Sequence, residues 1–194
     1  GDADLVTGYC RRVAPDGAVI AEIAPAYAAV PAHTSELPRE LPRELLMRDS
    51  FSARLYRREL VAAHGLFFPE GTPGEDIFFL YSYLLRCKKA VYLAKPVYDY
   101  VVNEASVTHN KDARYYVRLG ECYQKMRGLF ADAGQSACFP IILENILEEH
   151  LRGMAASERI SQEALAETLP AWEWLFRLEA DAGRLEPQPL AACV

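Results

Sequence analysis

The chain has 194 residues, 51% hydrophobic and 25% charged. That is the make-up of a folded globular chain, not a disordered one, and the length suits one domain or a domain with an extension. The net charge of −6, with no basic stripe, excludes nucleic acid as a partner, because nothing displaces counterions from phosphates.

The longest apolar runs reach about eight residues, against the roughly 20 that cross a bilayer, so no transmembrane segment is expected. The opening "GDADLVTGYC" carries acids where the basic region of a signal peptide would sit. It also turns strand-like almost at once, as in a piece cut from a larger protein. Cys10, Cys87, Cys122, Cys138 and Cys193 make an odd set without C-x-x-C spacing, which reads as reduced thiols in a cytosolic protein. Neither they nor the four histidines have ligand spacing, so no metal site is expected in this chain.

In chain order, "DLVTGYCRRV" and "GAVIAEI" predict two strands joined through Asp16-Gly17, a hairpin signal. The tandem "LPRELPRE" is too short for a solenoid repeat, and Pro42 to Arg48 predicts a short helix. "SFSARLY" predicts a strand, and "RRELVAAHG" a helix stopped by Gly65. A loop with Pro69, Gly71, Pro73 and Gly74 then leads to Glu75-Asp76. From Glu75 the apolar positions Ile77, Phe78, Leu80, Tyr81, Leu84 and Leu85 predict a buried helix face. "AVYL" and "VYDYV", separated by Lys95-Pro96, predict two short strands. Residues 111–183 predict helices with breaks at Gly134, at 157–161 and at Pro170, and residues 184–194 a loose tail. Trp172, Leu175, Phe176 and Glu179 form a helical face suited to packing or to a dimer contact.

Two readings of Glu75-Asp76 are open. Acids in the first turn of a helix are favoured by the macrodipole and by unpaired N–H groups. Two carboxylates at the mouth of a Gly/Pro-rich loop, at a sheet edge, also suit ligand binding and proton transfer.

Five motifs in order resemble the second half of the catalytic domain of family 2 glycosyltransferases, the inverting GT-A type of bacterial polysaccharide synthesis. They are Arg54-Leu55-Tyr56-Arg57, Gly65-Leu66-Phe67-Phe68, Glu75-Asp76, Val97-Tyr98-Asp99-Tyr100 and Ser106-Val107-Thr108, with "ADLVTG" near the start resembling the strand after the family's metal turn. The resemblance covers about residues 3–110. It implies an α/β fold, the C-terminal half of a GT-A-like domain (a small mixed sheet with flanking helices) over 1–110, followed by an all-helical extension over 111–194.

The same resemblance implies that Asp76 is the general base, taking a proton from an acceptor hydroxyl as it attacks the anomeric carbon of a nucleotide sugar. Glu75 would orient the loop or contact the sugar. Substrate contacts fall to Arg54, Tyr56, Arg57 and Ser106, and to His109, whose other reading is a surface histidine. The family's Asn-Lys before Leu-Tyr is Ala53-Arg54 here, and its arginine after the Tyr strand is Val101. Implied partners are a nucleotide-sugar donor and a glycan or lipid-linked acceptor. A divalent metal (Mg or Mn) is implied for the full-length enzyme, on a D-x-D turn upstream. "DAD" at Asp2 to Asp4 matches that pattern but precedes the wrong strand and is not read as the metal turn. The chain by itself is expected to be inactive, a homodimer, and cytoplasmic, with peripheral membrane association allowed. The alternative is a non-catalytic helical module that pairs subunits of a surface-polysaccharide assembly.

Overall fold

The computed structural model describes residues 2–22, 24, 33–37, 41, 43–46, 51–102, 111–146 and 160–183. They fall into two compact units, 1–69 with 76–109, and 70–75 with 110–194. The loop ahead of Asp76 therefore groups with the helical unit.

The first unit holds β1 (Leu5–Val13), β2 (Val19–Glu22), β3 (His33–Glu36), α1 (Arg43–Leu46), β4 (Arg54–Tyr56), α2 (Arg58–Ala63), α3 (Glu75–Leu84) and β5 (Lys89–Val101). The sheet runs β2-β1-β5-β3, with β4 also on β1. β1 and β5 are parallel and the other pairs antiparallel, so the sheet is mixed, as the sequence predicts. The two ends of β1 have different neighbours on one edge: Leu5 to Thr7 pair with β4, and Arg11 to Val13 with β2. Alternation along β1 sends Leu5, Thr7 and Tyr9 into the interior and leaves Val6, Cys10 and Arg12 on the more open face.

The β1–β2 turn follows its residues. Gly17 has a positive φ of 88°, and Asp16 Oδ1 accepts from the N–H of Ala18 at 3.0 Å. α2 stops where expected, with Gly65 at φ 56° and the N–H of Leu66 bonded back to the carbonyl of Val61. α1 is described only over Arg43–Leu46; Pro42 and Arg48 lie outside the described residues.

Two predicted breaks are corrected. The strands expected on either side of Lys95-Pro96 are one strand, β5. The β1–β5 register slips between Thr7 and Tyr9 and again between Tyr9 and Cys10. Pro96 thus lies in an irregular stretch, where a missing N–H breaks no regular ladder. The bulging strand also brings Val97 over Gly8. A Cβ on Gly8 would stand 2.6 and 2.8 Å from the Val97 methyls and 3.0 Å from the Lys95 carbonyl, so only glycine fits.

The second unit holds α4 (Ala113–Asp132), a 3₁₀ turn (Ser136–Cys138), α5 (Phe139–Ile146) and α6 (Gln162–Asp181). Asp112 caps α4 by accepting from the N–H of Tyr115 at 2.8 Å, and Ser161 caps α6 by accepting from Ala164. Gly134, at φ 69°, ends α4 as read from the sequence. The helix predicted over 140–157 is described only to Ile146, and the break at 157–159 lies outside the described residues.

Pro170 does not break α6, which is the second correction. Anchors on both sides of the proline hold the helix in line. Thr168 Oγ1 donates to the carbonyl of Ala164, and Trp172, buried, lies on Gly120 of α4 with Tyr123 beside it at 5.7 Å between rings. Further along, Arg127 Nε meets buried Glu179 at 2.6 Å. Pro170 itself is exposed, so the one unmade helical bond faces water. Among the described residues no helix is long and apolar enough to cross a membrane.

Candidate functional site

α3 begins at Glu75, which places both acids in its first turn. Asp76 Oδ1 accepts from the N–H of Ile77 at 2.9 Å, so the carboxylate serves a first-turn donor. Asp76 is half-buried and Glu75 exposed. The preceding loop is held inside the second unit. Gly71 and Gly74 have φ of 63° and 82°, Glu75 N–H bonds to the Thr72 carbonyl, and Cys122 Sγ donates to the carbonyl of Gly74 at 3.5 Å. A side chain on Gly74 would press on Leu119 at 3.0 Å, so both shape and φ require glycine there.

Asp76, Phe79 and Tyr83 share a face of α3 at helical spacing. Tyr56 of β4 lies against that face, its ring edge-on to Phe79 at 5.3 Å and to Tyr83 at 4.9 Å. Its hydroxyl donates to the carbonyl of Phe51 at 2.8 Å. Burial pushes the Tyr56 phenol up to about 12; the Arg54 guanidinium pulls against this, and Tyr83 and the Asp76 carboxylate add to it. Arg54 also lines a groove of about 300 Å³ with Val6, Gly8, Ala53, Leu55, Val97 and Tyr98.

Arg57 is oriented elsewhere. Its Nε and Nη2 donate to the carbonyl of Ala3 at 3.0 and 2.7 Å, with Asp4 at 3.6 Å. Ser106 and His109 lie outside the described residues. The acids of "DAD" are engaged in the fold. Asp4 Oδ2 accepts from the N–H groups of Lys88 and Lys89 at 2.9 and 3.1 Å. Asp2 pairs with Lys89 Nζ at 2.7 Å, and that hydrogen bond holds its carboxyl below the usual range. Among the described residues no three acids, histidines or cysteines converge on a metal position. These residues do not fit the divalent metal that the resemblance implies.

Two features of the site escaped the sequence reading. Ala53 has a left-handed φ of 58°, the single non-glycine residue among those described to do so. The family's asparagine at this place was the available signal, since asparagine tolerates that conformation. The second is an aromatic cluster in which Phe68 stacks on Phe79 and Phe51 meets Phe68 edge-on. Its signal was the Phe67-Phe68 pair together with Phe79 one turn after Asp76.

No protein-family model matches the chain, and no curated protein matches it. Solved structures do. Residues 1–349 of S. aureus TarS match with a TM-score of 0.59 and 14% identity, over 88% of this chain and 47% of that one. The same protein in complex with UDP-GlcNAc matches at 0.62 and 15%, over 90% and 48%. Its complex with UDP matches at 0.57 and 15%, over 88% and 47%. The chain thus shares the fold of part of TarS 1–349 and spans about half the length of the solved chains it matches.

Proposed function

We propose that the chain is the acceptor-side part of a nucleotide-sugar-dependent glycosyltransferase of family 2, GT-A-like and inverting, with Asp76 as general base. The observation that carries this reading is the placement of Asp76: a half-buried carboxylate in the first turn of α3, on the helix face that Tyr56 of β4 packs against, in a fold that glycosyltransferases share. An inverting transfer needs one ionised carboxylate within reach of the acceptor oxygen. A helix N-terminus favours the charged form.

In this reading Asp76 accepts the hydroxyl proton as the oxygen attacks. Tyr56 stays protonated and walls the carboxylate from the core, and Arg54 supplies positive charge at the rim of the groove. Arg57 acts through structure, fixing the start of β1 to the end of β4. Glu75 positions the entrance loop. Ser106 and His109 remain proposed substrate contacts by resemblance alone. A donor such as a UDP-sugar and any Mg or Mn would be held by parts of the parent enzyme other than the residues described. The acceptor would be a glycan or a lipid-linked glycan.

The test is Asp76→Asn in the parent enzyme. Turnover should fall by roughly 10²–10⁴-fold, the worth of a positioned base, with donor affinity unchanged. Near-normal turnover would remove Asp76 from the mechanism.

A further inference from the structure

Phe68 lies on Phe79 with ring centroids 4.2 Å apart and planes 12° from parallel, and Phe51 meets Phe68 edge-on at 5.7 Å. Phe79 is buried, whereas Phe68 keeps 42% and Phe51 38% of its surface exposed. Phe79 follows Asp76 by nearly one turn of α3, so carboxylate and aromatic stack lie along one helix face. Tyr56 ties them together: its ring rests against Phe79, its hydroxyl holds the Phe51 main chain, and its phenol feels the Asp76 charge.

Open aromatic surface continuous with a carboxylate selects among occupants. An acyl chain gains from the rings but would strip water from Asp76, which costs free energy without a hydrogen bond in return. Two half-exposed rings are far less apolar area than a stable protein interface needs. A pyranose suits both parts. One face of the ring presents polarised C–H bonds, which favour the electron-rich face of an aromatic, and its edge carries hydroxyls for the carboxylate.

Resting on the reading of Asp76 as the base, we propose that Phe68, backed by Phe79 and flanked by Phe51, is a stacking ledge that holds a sugar ring of the acceptor glycan with a hydroxyl toward Asp76. The ledge therefore sets acceptor affinity and does not touch the donor.

Saturation-transfer NMR of the chain with a short β-linked N-acetylglucosamine oligosaccharide tests binding. Ring C–H protons on one sugar face should receive saturation, Phe68→Ala should abolish it, and Phe68→Trp should retain it. Phe68→Leu, which still covers Phe79, keeps the fold and should weaken the signal. In the parent enzyme Phe68→Ala should raise the acceptor KM about tenfold, a stacking contact's worth, with donor KM unchanged. Absent saturation, equal saturation in Phe68→Ala, or a KM effect confined to the donor would overturn the ledge. So would displacement of the sugar by a fatty acid that itself saturates more strongly, or a Phe68-dependent dimer without sugar binding. Asp76-dependent transfer with an unmoved acceptor KM would refute the ledge alone. An intact acceptor effect with an active Asp76→Asn enzyme would instead refute the base.

Discussion

The main-chain N–H of Arg57 donates to the hydroxyl of Tyr83 at 2.8 Å, and the same hydroxyl donates onward to the carbonyl of Asp4. One buried oxygen thus links the residue after β4, the residue before β1 and the helix that carries Asp76. The Arg57 N–H also reaches the Asp4 carbonyl directly at 3.1 Å, so neither group is orphaned without the hydroxyl, and Tyr83→Phe should lower stability by about 0.5–1.5 kcal/mol, the net worth of the lost hydrogen bonds. Urea unfolding is the measurement: the midpoint should drop with the slope unchanged. Tyr98→Phe, at an exposed site, serves as the control. Equal midpoints for Tyr83→Phe and the unmodified chain would show that the link adds nothing net.

Ala53 supplies a prediction of opposite sign. A residue with a Cβ at φ 58° is strained by about 1–2 kcal/mol, and asparagine tolerates that region better than alanine. Ala53→Asn should therefore raise stability by roughly 0.5–1 kcal/mol. Ala53→Gly should gain less, since glycine loses more backbone entropy on folding. A thermal midpoint that falls in Ala53→Asn would mean that the strain is not relieved by the substitution. The resemblance noted in the sequence marks the same position, where the family carries asparagine.

How far the residues announce the structure depends on whether local or distant partners decide. The Asp16-Gly17 turn, the Gly65 and Gly134 stops and the start of α3 at Glu75 are local matters, and each is readable. β3 was not read, because His33 to Glu36 become a strand by pairing with Ala90 and its neighbours on β5. Pro96 and Pro170 mislead for a related reason. A register slip against β1 admits the first, and packing of Trp172 on Gly120 holds the helix through the second. At the site, Asp76 was legible from its loop and helix. The packing of Tyr56 on the α3 face that carries Asp76 joins two segments far apart in the chain, and the Phe51–Phe68–Phe79 stack needs three to meet.

Stability should decline in alkali. Burial pushes the Cys87 thiol from its ordinary 9.0 up to about 12, and the phenols of Tyr56 and Tyr83 from 10.0 up to about 12. Below the ordinary values both folded and unfolded chains hold these protons, and the stability is fully present. As pH rises from about 9 toward 12, the unfolded chain releases them first, so stability is lost across that window. Urea midpoints measured through it should fall, and Cys87→Ala should delay the onset by removing the earliest group to titrate. A flat profile up to pH 11 would contradict the burial of all three.

The more open face of the sheet gives the last prediction. Leu55 is 72% exposed, Val97 and Tyr98 are each 45% exposed, and all three line the groove beside Arg54. They stand together because the bulge in β5 lifts Val97 over Gly8, and because β4 pairs with β1 only from Leu5 to Thr7. Clustered apolar groups in a concave sheet face gain from being covered, at about 25 cal/mol per Å² of apolar area removed from water. We therefore expect the isolated chain to self-associate through this face, with sedimentation at tens of micromolar showing a dimer. Leu55→Lys with Val97→Lys should return it to monomer, because two ammonium groups would have to lose their water in the contact. Val97 faces Gly8 with its methyls, so Val97→Thr, closer in size, is the control for damage to the bulge itself. A monomer before any substitution would end the idea. A dimer that survives both lysines would move the contact away from this face, leaving the groove beside Arg54 open to small ligands.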